Sequence, residues 1–108
     1  VASKIEMGYE LMGNVVVRKY FVEYEYVVLC DIPCLDLNKM SEMEIENALI
    51  ELFNAVKGYD VEIGLWSDVH IFDVPYNCVI VSTKPIPKKV VQIAIDTLRS
   101  FCNGGGNE

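Results

Sequence analysis

Histidine is almost missing from this sequence: His70 is the only one in 108 residues. General acid–base catalysis most often uses an imidazole that is held by a partner and tuned near neutrality. No G-x-S-x-G, P-loop, G-x-G-x-x-G or H-E-x-x-H pattern supplies another chemistry. His70 alternates away from Val69 and Ile71, which places it on the polar face of a strand. The sequence therefore offers no catalytic residue and predicts no enzyme. Basic residues are also few, nine Lys+Arg against sixteen Asp+Glu, for a formal net charge of −7. That balance excludes nucleic-acid binding driven by the whole surface. No apolar run reaches the ~18 residues of a membrane span, and Val1-Ala2-Ser3-Lys4 has neither the apolar core nor the cleavage pattern of a leader. The expectation is a soluble intracellular chain without a membrane partner.

What is present is an ordinary globular composition, 52% hydrophobic and 23% charged. A chain of this length supports one core and one domain, without needing staples. Its cysteines are Cys30, Cys34, Cys78 and Cys102. Three lie in apolar periodic stretches, where a reduced cysteine acts as a small buried hydrophobe, and all four are expected to be reduced. Cys30 and Cys34 stand without a second close pair or a nearby histidine, so no zinc site or other metal or cofactor is implied.

Residues 1–19 are weakly patterned, with Gly13-Asn14 as punctuation, and read as an N-terminal arm or edge strand. From Tyr20 the alternation is strict: Tyr20, Val22, Tyr24, Tyr26, Val28, Cys30 and Ile32 share one parity, and Glu23, Glu25 and Asp31 the other. This predicts one long half-buried strand, ended by Pro33. Ser41 and Glu44 form a capping box, and Ile45, Ala48, Leu49, Leu52, Phe53 and Val56 recur at helical spacing as a core-facing stripe. Gly58 is placed to end that helix. Residues 60–72 regain β character with a break near Ser67-Asp68, and Cys78-Val79-Ile80-Val81 reads as the other arm of a hairpin. The prolines at 85 and 87 start a second helix with Val91, Ala94, Ile95, Leu98 and Phe101 as its stripe. Residues 103–108 form a flexible tail.

Two helices with one apolar stripe each must pack on one apolar sheet face. The expected fold is α+β, a two-layer sandwich of RRM/ferredoxin-like type, with a mostly antiparallel sheet and helices on one face, over residues 20–102.

Lys84, Lys88 and Lys89 flank the start of the second helix, where stability alone would favour acids. Clustered lysines there suit phosphate, and Arg18-Lys19 is the only other basic pair. These five residues are the candidate RNA-phosphate contacts. Tyr24 and Tyr26 resemble base-stacking aromatics only in position, because the RNP pattern is missing; they read as protein-interface residues. Val90 and Ile93, off the main stripe of the second helix, are the other candidates for a protein partner.

Arg18-Lys19-Tyr20 opening a long strand, the capped helix with Ala48 and Leu52-Phe53-Asn54, the hairpin from Val69-His70-Ile71-Phe72 to Cys78-Val79-Ile80-Val81, and the terminal helix together resemble the Pop/Rpp small protein subunit family of ribonuclease P and ribonuclease MRP. The resemblance spans residues 20–101. It implies an RRM-like sandwich and a non-catalytic role: pairing with other ribonuclease P/MRP protein subunits around a structured RNA that trims precursor tRNA 5′ leaders. The implied location is the nucleus, specifically the nucleolus, in a eukaryote and the cytoplasm in an archaeon. The chain departs from the family at Asn54, where a glycine is usual, at Ser82, where an arginine is frequent, and after Phe101, where no basic strand follows. Those departures fit the acidic, protein-contacting branch. The alternative is a stand-alone small-ligand-binding or regulatory α+β module, anchored at the lysine-rich helix start.

Overall fold

The computed structural model describes residues 4–66 and 72–102. Its strands are β1 (Lys4–Met12), β2 (Val15–Val22), β3 (Glu25–Asp31), β4 (Glu62–Leu65) and β5 (Cys78–Ser82). Its helices are α1 (Glu42–Ala55) between β3 and β4, and α2 (Lys88–Arg99) after β5. The strands form one sheet in the order β1-β2-β3-β5-β4, and every neighbouring pair is antiparallel. The molecule is a two-layer α+β sandwich. Its β3-α1-β4-β5-α2 run has the chain order of a ferredoxin-like unit, and β2 fills the place beside β3 that a strand after the second helix would take.

The long strand expected over residues 20–32 is instead the end of β2, a two-residue turn at Glu23-Tyr24, and β3. Both turn residues have positive φ, 48° and 71°, as a tight hairpin requires, although Glu-Tyr has none of the Asn-Gly chemistry that usually marks one. The reversal escapes the sequence for a geometric reason. A two-residue turn leaves the parity of the alternation unbroken but swaps the face each parity occupies. Val22 pairs with Glu25 and Tyr20 with Val27, so Tyr20 and Val28 lie on opposite sides of the sheet.

Both sides are covered, which is why both parities are apolar. On one side Val15, Val17, Val28, Cys30, Cys78, Ile80 and Ile63 meet Ala48 and Leu52 of α1 and Val91, Ala94, Ile95 and Leu98 of α2. On the other, Tyr20, Val27 and Leu29 are buried beneath Phe72, with Val74 and Tyr76 packed alongside. The β4–β5 connection thus supplies a partial third layer. Of the first nineteen residues, Lys4–Met12 form the edge strand, whereas the chain from Val15 onward enters an interior strand. The expectations for His70, for Val69 and Ile71, and for the tail at 103–108 fall outside the described residues.

Helix α1 starts as its sequence dictates. Ser41 Oγ accepts from Glu44 N at 3.1 Å, and Glu44 Oε1 accepts from Ser41 N at 2.8 Å. Phe53, expected in the core stripe, is exposed, because the stripe that meets the sheet is centred on Ala48, Leu52 and Val56. In α2, Val90 has 0% exposure. It is a core residue and not the partner-facing one expected, since α2 is embraced by both α1 and the sheet. Ile93 is half-buried against the same core.

The cysteines divide into two pairs. Cys30 and Cys78 face each other across β3 and β5 as free, buried thiols. The hydrogen bond between them, with burial, pushes the Cys78 thiol well up from its ordinary value. Cys34 and Cys102, expected to be reduced, form a disulfide that ties the loop after β3 to the end of α2. The two positions are 68 residues apart in the chain, and only the packing of α2 along the sheet brings them within bonding reach.

Candidate functional site

The five basic residues do not form one patch. Lys19 on β2 and Lys88 at the start of α2 converge on Glu10 of β1: Lys19 Nζ lies 2.8 Å from Oε1 and Lys88 Nζ 3.1 Å from Oε2. Hydrogen bonds from Lys19 and then Lys88 hold the Glu10 carboxyl below its ordinary value. Lys84 is elsewhere, 3.6 Å from Asp60 Oδ2, with both side chains exposed. Arg18 points to the opposite sheet face, its guanidinium 5.5 Å from the centre of the Tyr9 ring. Lys89 is exposed in the first turn of α2. The acidic partners answer why lysines tolerate this helix start, since Glu10 supplies from β1 the negative charge that the first turn lacks. Exposed ion pairs of this kind are worth little, so Lys19 and Lys88 can exchange Glu10 for phosphate at small cost.

Tyr24 stands at the tip of the β2–β3 turn with 86% of its surface exposed. Tyr26 is half-buried and leans on Phe21, ring centres 4.9 Å apart. Apolar exposure is concentrated elsewhere. Met43, Ile50 and Phe53 form an outer stripe on α1, and Ile5, Met7, Tyr9 and Leu11 project from the edge strand β1. Beside Phe53, an open groove of about 440 Å³ runs between α1 and the edge strand β4, with Val56, Tyr59, Val61 and Ile63 along it. Sequence reasoning missed this stripe because Phe53 falls at the spacing of the core stripe and so looks like core, while the spacing assigns Met43 and Ile50 to no face.

A second feature had almost no sequence signal. Beyond the last paired residues Cys30, Cys78 and Leu65, three strands continue side by side for one more step. Asn77 N donates to Cys30 O at 3.0 Å, and Trp66 N donates to Asn77 O at 3.2 Å. Asp31, Asn77 and Trp66 thereby line up across the end of the sheet. The indole folds back over Gly64: a Cβ there would sit 3.6 Å from Trp66 Nε1, an ordinary contact distance. Tyr76 stands edge-on to Phe72, centres 6.2 Å apart, and Phe72 packs on Tyr20 at 4.7 Å. Burial raises the Tyr76 phenol above its ordinary value. Asp31, Trp66, Tyr76 and Asn77, together with Asp36 and Asn38 of the turn after β3, line an open cleft of about 390 Å³. Asp36 Oδ1 accepts from Asn38 N at 3.1 Å, which fixes that wall.

Among the described residues no group of three or more His, Cys, Asp or Glu side chains is placed to hold a metal ion, and no helix is long and apolar enough to cross a membrane. Compared with models of known protein families, with curated proteins and with solved structures, the chain matches none of them.

Proposed function

We propose that the protein is a non-catalytic assembly subunit that docks another protein, and specifically a subunit of a ribonuclease P or MRP particle that supports precursor tRNA 5′-leader processing. The observation that carries the docking role is the apolar outer surface. Met43, Ile50 and Phe53 on α1, and Ile5, Met7, Tyr9 and Leu11 on β1, are large hydrophobics at about half exposure or more. These are separate clusters, one on α1 beside β4 and one on β1 at the opposite edge of the sheet, and exposed apolar clusters of this kind mark interaction sites in soluble proteins. The ribonuclease P/MRP assignment rests on the resemblance over residues 20–101.

RNA contact in this reading is local and positional. Lys19 and Lys88 share one carboxylate, so displacing it by phosphate exposes two cations at a single point, suited to a backbone contact that carries no sequence information. The Cys34–Cys102 disulfide counts against a reducing compartment, since structural disulfides persist mainly in oxidising ones and are rare in mesophile cytosol and nucleus.

The test is purification of the tagged chain from its own cells, sequencing of the bound RNA, and an assay of the purified material on precursor tRNA. Enrichment of one structured RNA together with 5′-leader cleavage is expected. A preparation that carries neither overturns the assignment.

A further inference from the structure

We propose that the cleft beside Trp66 is a binding site for an organic cation, a guanidinium or alkylammonium group. The inference stands apart from the assembly role and from the lysines, which lie elsewhere. Three features point to a cation. Asp31 enters from the end of β3 and Asp36 from the turn beyond it, and no cationic side chain is among the described residues around the cleft. The two aromatic residues, Trp66 and Tyr76, line the same space, and an indole face is the best side-chain surface for a positive charge. The floor is already satisfied: the Asn77 amide spends its polar atoms on the backbone of Ile32 and Leu35. The carboxylates are therefore the groups left to define the ligand's charge.

The same sheet face already holds cations on aromatic rings within the chain. Lys4 Nζ lies 5.5 Å from the Phe72 ring centre and 5.9 Å from that of Tyr20. The cleft extends this chemistry to a group from outside. At about 390 Å³ it falls within the ~300–1,000 Å³ range of small-molecule pockets, and it takes one cationic head group with its first methylenes. A planar guanidinium offers a flat face to an aromatic ring and paired N–H donors to a carboxylate, which favours arginine-like ligands over a compact ammonium.

Trp66 is the only tryptophan of the chain, so its fluorescence reports on the cleft directly. The protein is titrated with N-acetylarginine amide, with the citrulline amide as a neutral match in shape, with spermidine, and with an arginine-containing tripeptide. A saturable change with the cations and none with the citrulline compound is expected. Asp31→Asn combined with Asp36→Asn, which keeps a capping side chain at 36, should weaken binding by about fivefold or more. Trp66→Leu, followed by calorimetry, should weaken it as well, and unchanged far-ultraviolet dichroism certifies the fold of each variant. Tighter binding of spermidine assigns a free polyamine, and tighter binding of the tripeptide assigns a basic side chain of a protein; both uphold the site. An equal response to citrulline amide, undiminished binding by both variants, or no saturable change with any cation overturns it.

Discussion

The side-chain amide of Asn77 brackets the peptide of Ile32. Its Oδ1 accepts from Ile32 N at 3.1 Å and its Nδ2 donates to Ile32 O at 2.9 Å, with a further bond to Leu35 O at 2.9 Å. One buried side chain thus carries the β3–β5 pairing past the last strand residue and anchors the turn leading to α1. Asn77→Ala leaves one N–H and two carbonyls without partners in a buried place, and the expected loss is about 2–4 kcal/mol. Urea unfolding measures it. A loss below about 0.5 kcal/mol would mean that water replaces the amide freely.

The Cys34–Cys102 bond closes a loop between positions 68 residues apart. Cross-linking a loop of that length restricts the unfolded chain by about 4 kcal/mol in the chain-entropy account, and observed values usually run to about 2–4 kcal/mol. Cys34→Ser with Cys102→Ser should lower stability by that amount, and dithiothreitol should lower the urea midpoint of the native protein alone. Free Cys30 and Cys78 should resist thiol reagents until the protein unfolds, because both are buried. Rapid native labelling of either would contradict the packing described.

Glu10 gives a pH signature. Its carboxyl is held below the ordinary 4.5 by Lys19 and Lys88, so the folded state binds the proton less readily than the unfolded one. The contribution is present at neutral pH, down to the unfolded value, and disappears as pH falls through the folded value. The melting-temperature difference between the wild type and Glu10→Gln should therefore be constant at pH values above the ordinary carboxylate range and shrink as pH falls below it. Added salt should shrink it too, since the pair is solvent-exposed. A difference that grows on acidification would rule out this assignment.

Removing Glu10 also releases Lys19 and Lys88 for phosphate. Glu10→Gln should steepen the salt dependence of RNA binding by about two phosphate equivalents, and Lys88→Glu with Lys89→Glu should weaken it without altering the fold or partner binding. Filter binding across a salt series reads both. If neither variant moves the slope, RNA contact lies away from α2.

Glu23 and Tyr24 occupy positive φ, which suits Asn-Gly far better. Glu23→Asn with Tyr24→Gly should stabilise the isolated protein by about 1–2 kcal/mol, by relieving an unfavourable backbone conformation. A continuous strand through these positions would be weakened by the same change, so the sign alone discriminates. Because Tyr24 is exposed at the tip, partner affinity measured on the same variant separates a docking role for its ring from a purely structural one.

Local chemistry determined what could be read along the chain. The Ser41–Glu44 capping box, the proline-led start of α2, the apolar stripe through Ala48 and Leu52, and the β character of residues 78–81 each depend on neighbours within one or two turns. Those interactions act before any tertiary contact exists, so their signals are written in short segments, and with them the α+β sandwich. Tertiary structure alone decided which face each parity of the β2–β3 hairpin occupies, because a two-residue turn reverses direction without disturbing alternation. It also decided that Val90 is core and Phe53 is surface, since both sit at helical spacing and only the placement of α1 against α2 and the sheet distinguishes them. The Cys34–Cys102 bond, the sharing of Glu10 by two lysines, and the placing of Asp31 and Trp66 on one cleft all bring together residues far apart in sequence. Their pairing depends on the order of strands in the sheet, and no local preference encodes that order.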